Sequence, residues 1–305
     1  MQEQNPLLCD PDSGVCEVPL SQPDSMAVDT TVSRVKPVKI IYFTDPICSS
    51  CWGIEPQLRK LKLVYGASIE VEYRMGGLLP DWSYNSGGIS KPSDVASHWD
   101  EVSVYYDMPI DGDVWLEDPL HSSYPPSIAF KAAQIQSKEK AIVFLRAIRE
   151  MVFLKKINIT KWVHLEQAAK QSGLDVVKFK LDYEGKANQL FQEDLNLGRS
   201  MGVRGFPTMF FVDTAGKMEK VYGSKPYAVF ESALLKLLPQ APKKDYKRDW
   251  QSVFAIYPTL TANEYAVLTD TERKKAEQFL NELTEKGNLV KLVTKNGSVW
   301  SLKQL

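Results

Sequence analysis

Cysteine and histidine are scarce in this chain, with four cysteines and three histidines among 305 residues. His98, His121 and His164 are scattered, and no glutamate or cysteine stands at a spacing that would build a metal site with them. No metal is therefore expected, and each histidine reads as a surface or capping residue. Long apolar runs are missing as well. The longest, such as Val38 to Phe43 and Thr208 to Val212, fall far short of the ~18–20 residues that cross a bilayer, so a soluble chain with no membrane contact is expected. Nor does one sign of charge dominate: 37 Lys plus Arg face 38 Asp plus Glu, a net charge of -1. That balance argues against coating nucleic acid or an anionic membrane through bulk charge. The opening Met1-Gln2-Glu3-Gln4-Asn5-Pro6 has neither the basic start nor the apolar core of a secretion signal. It points to the cytoplasm, where structural disulfides are disfavoured. What the chain does hold is 44% hydrophobic residues, enough for one large domain or two ordinary ones of ~150 residues each.

All four cysteines fall in the first 51 residues, as Cys9 and Cys16 and then Cys48-Ser49-Ser50-Cys51. One reading takes them as four zinc thiolates. Against it, the first pair flanks a turn-like Pro11-Asp12-Ser13-Gly14, and the second pair follows a strand rather than sitting in a knuckle turn. A redox reading fits better. Val38 to Phe43 is a β-branched and aromatic run of buried-strand length, Thr44 to Ile47 is a loop, and Ile54, Leu58, Leu61 and Val64 recur at helical spacing. The Cys pair thus opens a helix, whose free N–H groups favour a thiolate. On this reading Cys48 is the nucleophile, and Cys51, one turn on, resolves a mixed disulfide. The redox-active pair itself would be the only cofactor. Cys9 and Cys16, in a polar arm, are expected to act as accessory thiols that exchange with it, or to form an independent local pair.

A second motif lies far down the chain. Gly205-Phe206-Pro207-Thr208 places a proline directly before the apolar strand Thr208 to Val212. A cis Phe206–Pro207 bond would expose backbone groups beside the thiols, where an extended substrate could pair. Taken together, Asp45-Pro46-Ile47-Cys48-Ser49-Ser50-Cys51-Trp52-Gly53, Gly76-Gly77-Leu78, Ser123-Tyr124-Pro125-Pro126-Ser127 and Gly205-Phe206-Pro207-Thr208 resemble the DsbA-type thioredoxin-fold oxidoreductases, in particular the soluble branch labelled protein-disulfide isomerases. The resemblance spans about residues 36 to 240. It implies a thioredoxin βαβ unit, an inserted helical subdomain and a closing ββα unit with a cis proline at Pro207. It also implies the nucleophile and resolver on Cys48 and Cys51. Phe206 and Pro207 are expected to shape the substrate groove, and Trp52 to pack beside the thiols or, as the alternative, to line that groove. Ser49-Ser50 departs from the strongly oxidising members, which tend to carry a histidine there, so the redox direction does not follow.

The expected fold class is α/β, a thioredoxin fold with an inserted helical subdomain and a small winged-helix-like module. Three parts are expected: an N-terminal arm over residues 1–35, a DsbA-like domain over 36–240 with its helical insertion at about 91–201, and the module over 241–305. A boundary is set by Pro239 to Arg248, rich in proline and charge. Beyond it, Leu260 to Leu268 and Thr271 to Lys286 read as helices, and Asn296-Gly297 reads as the turn of a hairpin. This module carries 11 Lys plus Arg against 8 Asp plus Glu, so 11 - 8 = +3. Arg273, Lys274 and Lys275 supply only a short basic stripe, so docking of a protein partner or a second chain is favoured over nucleic acid. The leading expectation is a cytoplasmic thiol–disulfide oxidoreductase or isomerase acting on protein or small disulfides. The alternative is a non-catalytic DsbA-like adaptor for a cytoplasmic protease or another partner. Glutathione transfer is weaker, since it needs no resolving Cys51.

Overall fold

The computed structural model describes residues 36–83 and 91–303. Cys9, Cys16 and the expected arm lie outside them. Strand β1 (Val38–Thr44) forms where the β-branched and aromatic run predicts it, and its side chains are buried along most of its length. It is followed by α1 (Ser49–Gly53) and α2 (Glu55–Tyr65), then by β2 (Ile69–Met75). A single helix from Cys48 was the expectation. Pro56 breaks it, because it has no N–H to offer the carbonyl of Trp52, and Ile54 takes a non-helical ψ between the two pieces.

Among the described residues seven helices run between β2 and β3, within the expected insertion: α3 (Pro92–Tyr106), α4 (Val114–Glu117), α5 (Tyr124–Gln136), α6 (Lys138–Leu154), α7 (Trp162–Gln171), α8 (Val176–Glu184) and α9 (Lys186–Ser200). The chain re-enters the sheet with β3 (Thr208–Asp213) and β4 (Met218–Tyr222), and α10 (Tyr227–Leu237) packs on α2. The four-stranded order is β2-β1-β3-β4, with β1 parallel to β2 and antiparallel to β3. This is the mixed α/β thioredoxin-like fold that was expected. Its register does the positioning: Phe43 pairs with Thr208, so the loop leaving β1 toward Cys48 lies beside the residues that enter β3, Phe206 and Pro207.

The C-terminal part holds two elements that were not read from the sequence. Ahead of the two expected helices, α12 (Ala262–Thr269) and α13 (Arg273–Glu285), stand α11 (Trp250–Ile256) and the short strand β5 (Thr259–Thr261). Strand β5 pairs with β7 (Gly297–Leu302), which pairs with β6 (Leu289–Thr294), so the hairpin becomes a three-stranded sheet. The interior divides into two apolar clusters, one filling the thioredoxin unit and its insertion, the other centred on Phe254, Leu260, Leu268, Leu280 and Trp300. Leu63 of α2 packs into the second cluster and Val299 of β7 into the first. From Lys36 onward the chain forms one compact unit.

Candidate functional site

The loop between β1 and α1 is held by a buried carboxylate. Asp45 accepts hydrogen bonds from the N–H groups of Ile47 (3.0 Å) and Leu78 (2.8 Å) and from the Ser123 hydroxyl (2.9 Å). Three of the motif segments singled out in the sequence therefore converge on one side chain. Burial pushes the Asp45 carboxyl up to about 6, against those hydrogen bonds.

Cys48 is the N-cap of α1, and its sulfur accepts the Cys51 N–H at 3.3 Å. The two cysteine side chains approach to 2.9 Å as free thiols. The Phe206–Pro207 peptide is cis, and the Cys48 thiol donates to the Phe206 carbonyl oxygen at 3.7 Å. The Phe206 ring rests on Gly76, where a Cβ would stand 2.0 Å from it, so no larger residue fits at that position. Cys48 and Phe206 border a cavity of about 870 Å³, together with Phe43, Trp99, Trp115 and Leu195. Of the residues expected along a substrate groove, Phe206 lines this cavity and Pro207 is buried behind it. Trp52 faces away. It is fully buried, stacked on Phe153 at 5.5 Å, and donates its indole N–H to the Pro109 carbonyl (3.1 Å).

The two sulfurs stand in different electrostatic surroundings. Burial, followed by the hydrogen bond and the negative charge shared with Cys51, holds the Cys48 thiol well above the ordinary range. Burial also opposes ionisation of Cys51, but the hydrogen bond from Cys48, the Arg149 guanidinium and the Thr44 hydroxyl bring this thiol below it. The five-residue helix α1 offers Cys48 one capping bond, whereas a fixed positive charge lies on the Cys51 side. Arg149 thus favours the charged form of Cys51, and burial favours the neutral form of Cys48.

Under Cys51 lies a cluster of arginines and glutamates that no motif announced. Arg149, 1% exposed, donates to Glu55 (2.7 Å), to the Thr44 hydroxyl (2.7 Å) and to the Asp45 carbonyl (3.2 Å). Arg146 lies 4.3 Å over the Trp52 ring, pairs with Glu150 (2.7 Å), and grips both carboxylate oxygens of Glu264 (2.8 and 3.1 Å). Arg59 joins Glu55 (3.4 Å) to Glu264 (3.2 Å). The signal available in the sequence was charge on the apolar face of α6, where Arg149 and Glu150 sit among Ile148, Met151, Val152 and Phe153. Of the three histidines, His98 is exposed and lines the same cavity as Cys48, His121 meets the Thr160 hydroxyl at 3.2 Å, and His164 meets the Asn158 carbonyl at 2.8 Å. Among the described residues no three His, Cys, Asp or Glu side chains gather as a metal site.

Residues 42–232 match the family model described as Thioredoxin. This chain belongs to the thioredoxin family. Its thioredoxin domain is similar in fold to the cytosolic disulfide reductase DsbM of Pseudomonas aeruginosa, with a TM-score of 0.53 and 21% identity over 65% of this chain and 99% of that one. Over its whole length it is similar to the ClpXP adapter protein SpxH of Halalkalibacterium halodurans, 35% identical with 97% of each chain covered. It is also similar to SpxH of Bacillus subtilis, 30% identical over 87% of this chain and 89% of the relative. These names correct the expectation of a disulfide oxidoreductase or isomerase, because the relatives that match this thioredoxin-family chain along its whole length are named as adapters. Among the described residues no helix is long and apolar enough to cross a membrane.

Proposed function

We propose that this chain is an adaptor that delivers a protein to a ClpXP-type protease in the cytoplasm, with the thioredoxin domain serving as a binding platform. The observation that carries the reading is the extent of the similarity. The disulfide reductase neighbour stops at 65% of the chain, whereas the SpxH relative continues to 97%. The part that distinguishes the two is not a loose appendage. Arg59 and Arg146 are clamped on Glu264, and the hairpin tip is bound to α3 through Lys295 and Asp100 at 2.6 Å. A platform made of two fused modules offers a broad, rigid surface, which suits presentation of a folded protein better than attack on a disulfide.

The test is reconstitution. Purified ClpXP from the source organism is incubated with ATP and a soluble extract of the same cells, with and without the full chain, and protein levels are followed by quantitative proteomics. The expected result is that at least one protein disappears faster when the chain is present, and that the chain binds ClpX, ClpP or their assembly directly. No accelerated degradation and no binding to the protease would overturn the reading.

A further inference from the structure

The cavity that Cys48 borders is far larger than a thiol needs, and its lining combines two chemistries. Part of it is aromatic. Trp115 meets Trp82 and Trp99 edge to face at 5.9 and 5.2 Å, and Trp99 packs on Phe153 at 4.7 Å. Trp82 is anchored by its indole N–H, which donates to the Leu120 carbonyl at 2.9 Å. Trp99 and Trp115 are buried, so this wall is in place before anything binds.

The other part carries charge, and it comes from the end of α9. There the Gly202 N–H bonds to the Arg199 carbonyl (3.1 Å) and the Val203 N–H to the Gly198 carbonyl (2.9 Å), with Gly202 at a φ of 65°. This is the reversal by which many helices end on a glycine, and it satisfies the last carbonyls of α9. It also turns the chain so that Arg204 lines the same cavity as Arg199. Among the described residues neither guanidinium meets a carboxylate: Arg199 bonds the Asn196 side-chain oxygen, and Arg204 meets no polar side chain. Asp194 lines the space too, but Arg74 and Lys131 already enclose it, each at 2.8 Å. His98 brings no negative charge in either protonation state. The cavity therefore offers two unpaired cations beside a fixed aromatic wall.

We propose that this space of about 870 Å³ is a binding site for a flat aromatic carboxylate of naphthalene size or somewhat larger, its rings on Trp82, Trp99 and Trp115 and its carboxylate on Arg199 and Arg204. The volume lies in the range of small-ligand cavities, ~300–1,000 Å³. Rings gain from contact with indoles beyond the area they bury, which favours a ring system over an alkyl chain. A guanidinium donates two parallel N–H bonds to a carboxylate, a match that an uncharged amide of the same shape does not make. A rigid ligand meeting a preformed wall loses little freedom on binding. The site goes beyond the adaptor reading and does not depend on it.

The test is calorimetric titration of the full chain with 2-naphthoate and with 2-naphthamide, which has the same rings and no charge. One 2-naphthoate is expected to bind per chain, and 2-naphthamide roughly ten-fold more weakly. Arg199→Ala and Arg204→Ala, both at exposed positions that the fold does not rest on, are each expected to weaken 2-naphthoate roughly three-fold and to leave 2-naphthamide unchanged. Trp82→Leu, at a half-buried position, removes one ring of the wall and is expected to weaken both compounds alike, by roughly three-fold. Absence of 2-naphthoate binding or equal affinity for the two compounds overturns the proposal. So does an affinity for 2-naphthoate unmoved in either arginine variant, or unmoved in Trp82→Leu. None of these results bears on whether the chain serves ClpXP, which the reconstitution decides.

Discussion

Asp194 and Glu264 are both carboxylates with no exposed surface, yet they keep different company. Asp194, on α9, is enclosed by Arg74 (2.8 Å), Lys131 (2.8 Å) and the Met75 N–H (2.9 Å), and so ties β2 and α5 to the last helix of the insertion. Glu264, on α12, closes a capping box with Thr261 and is shared by Arg59 and Arg146, tying the module to α2 and α6. The first cluster joins elements of one module, whereas the second joins two modules and reaches, through Glu55 and Arg149, the buried Cys51 thiol. The same chemistry of buried pairing is therefore a fixed tie within a module in one place and a tie between modules in the other.

Breaking the fixed tie has the largest expected effect. Asp194→Asn leaves Lys131 without its carboxylate, while Arg74 keeps Glu72 and some water, so a loss of about 3 kcal/mol is expected, the lower end for unpairing a buried charge. Urea unfolding measures it. In the same variant the Cys48–Cys51 redox equilibrium should not move, and a shift there would erase the distinction between the two clusters.

Asp45 ranks next, because it joins the loop that carries the thiols to the insertion. Its carboxyl is raised from 3.8 to about 6. The native state therefore binds a proton that the unfolded chain does not bind between those two values. The stability that this contributes is complete below about pH 4 and is lost as pH rises through about 6, a change of about 2–3 kcal/mol. Several depressed carboxylates, Glu55 and Glu150 among them, work in the opposite direction, so the quantity to read is the difference from Asp45→Asn. Wild type should lose stability relative to that variant on going from pH 4 to pH 7, by about the amount just given. Parallel curves would show that Asp45 ionises as freely in the fold as outside it.

The thioredoxin core, the cis proline position and the segments that meet at Asp45 were legible because each rests on local chemistry: a β-branched strand, paired prolines opening α5, a proline at strand entry. The electrostatics of the dithiol were not. The expected Cys48 thiolate followed from its place at a helix start, whereas the positive charge nearest in effect to Cys51 is that of Arg149, about a hundred residues away and brought in by packing of α6. The module shows the same limit at shorter range. Thr261-Ala262-Asn263-Glu264 has the spacing of a capping box, which is local and readable. That the same Glu264 also neutralises two arginines of another module could be seen only after folding. Strand β5 escaped because three residues carry no period, and its strand character comes from pairing with β7.

The smallest effect separates contact from charge. Gly53 sits in α1, and an added methyl would press into the Tyr106 ring, whose hydroxyl holds Ser50 and whose carbonyl holds Asn263. Overpacking of this kind costs about 1–3 kcal/mol, and the better helix propensity of alanine returns up to about 1 kcal/mol, so Gly53→Ala is expected to lose about 1 kcal/mol in urea unfolding. No charged group moves in this variant. Amide exchange in Ala262–Thr269 is expected to rise in Gly53→Ala, because the displaced Tyr106 holds Asn263 through its carbonyl. An exchange rate there that is unchanged in Gly53→Ala and raised in Glu264→Gln would show that charge alone seats the module.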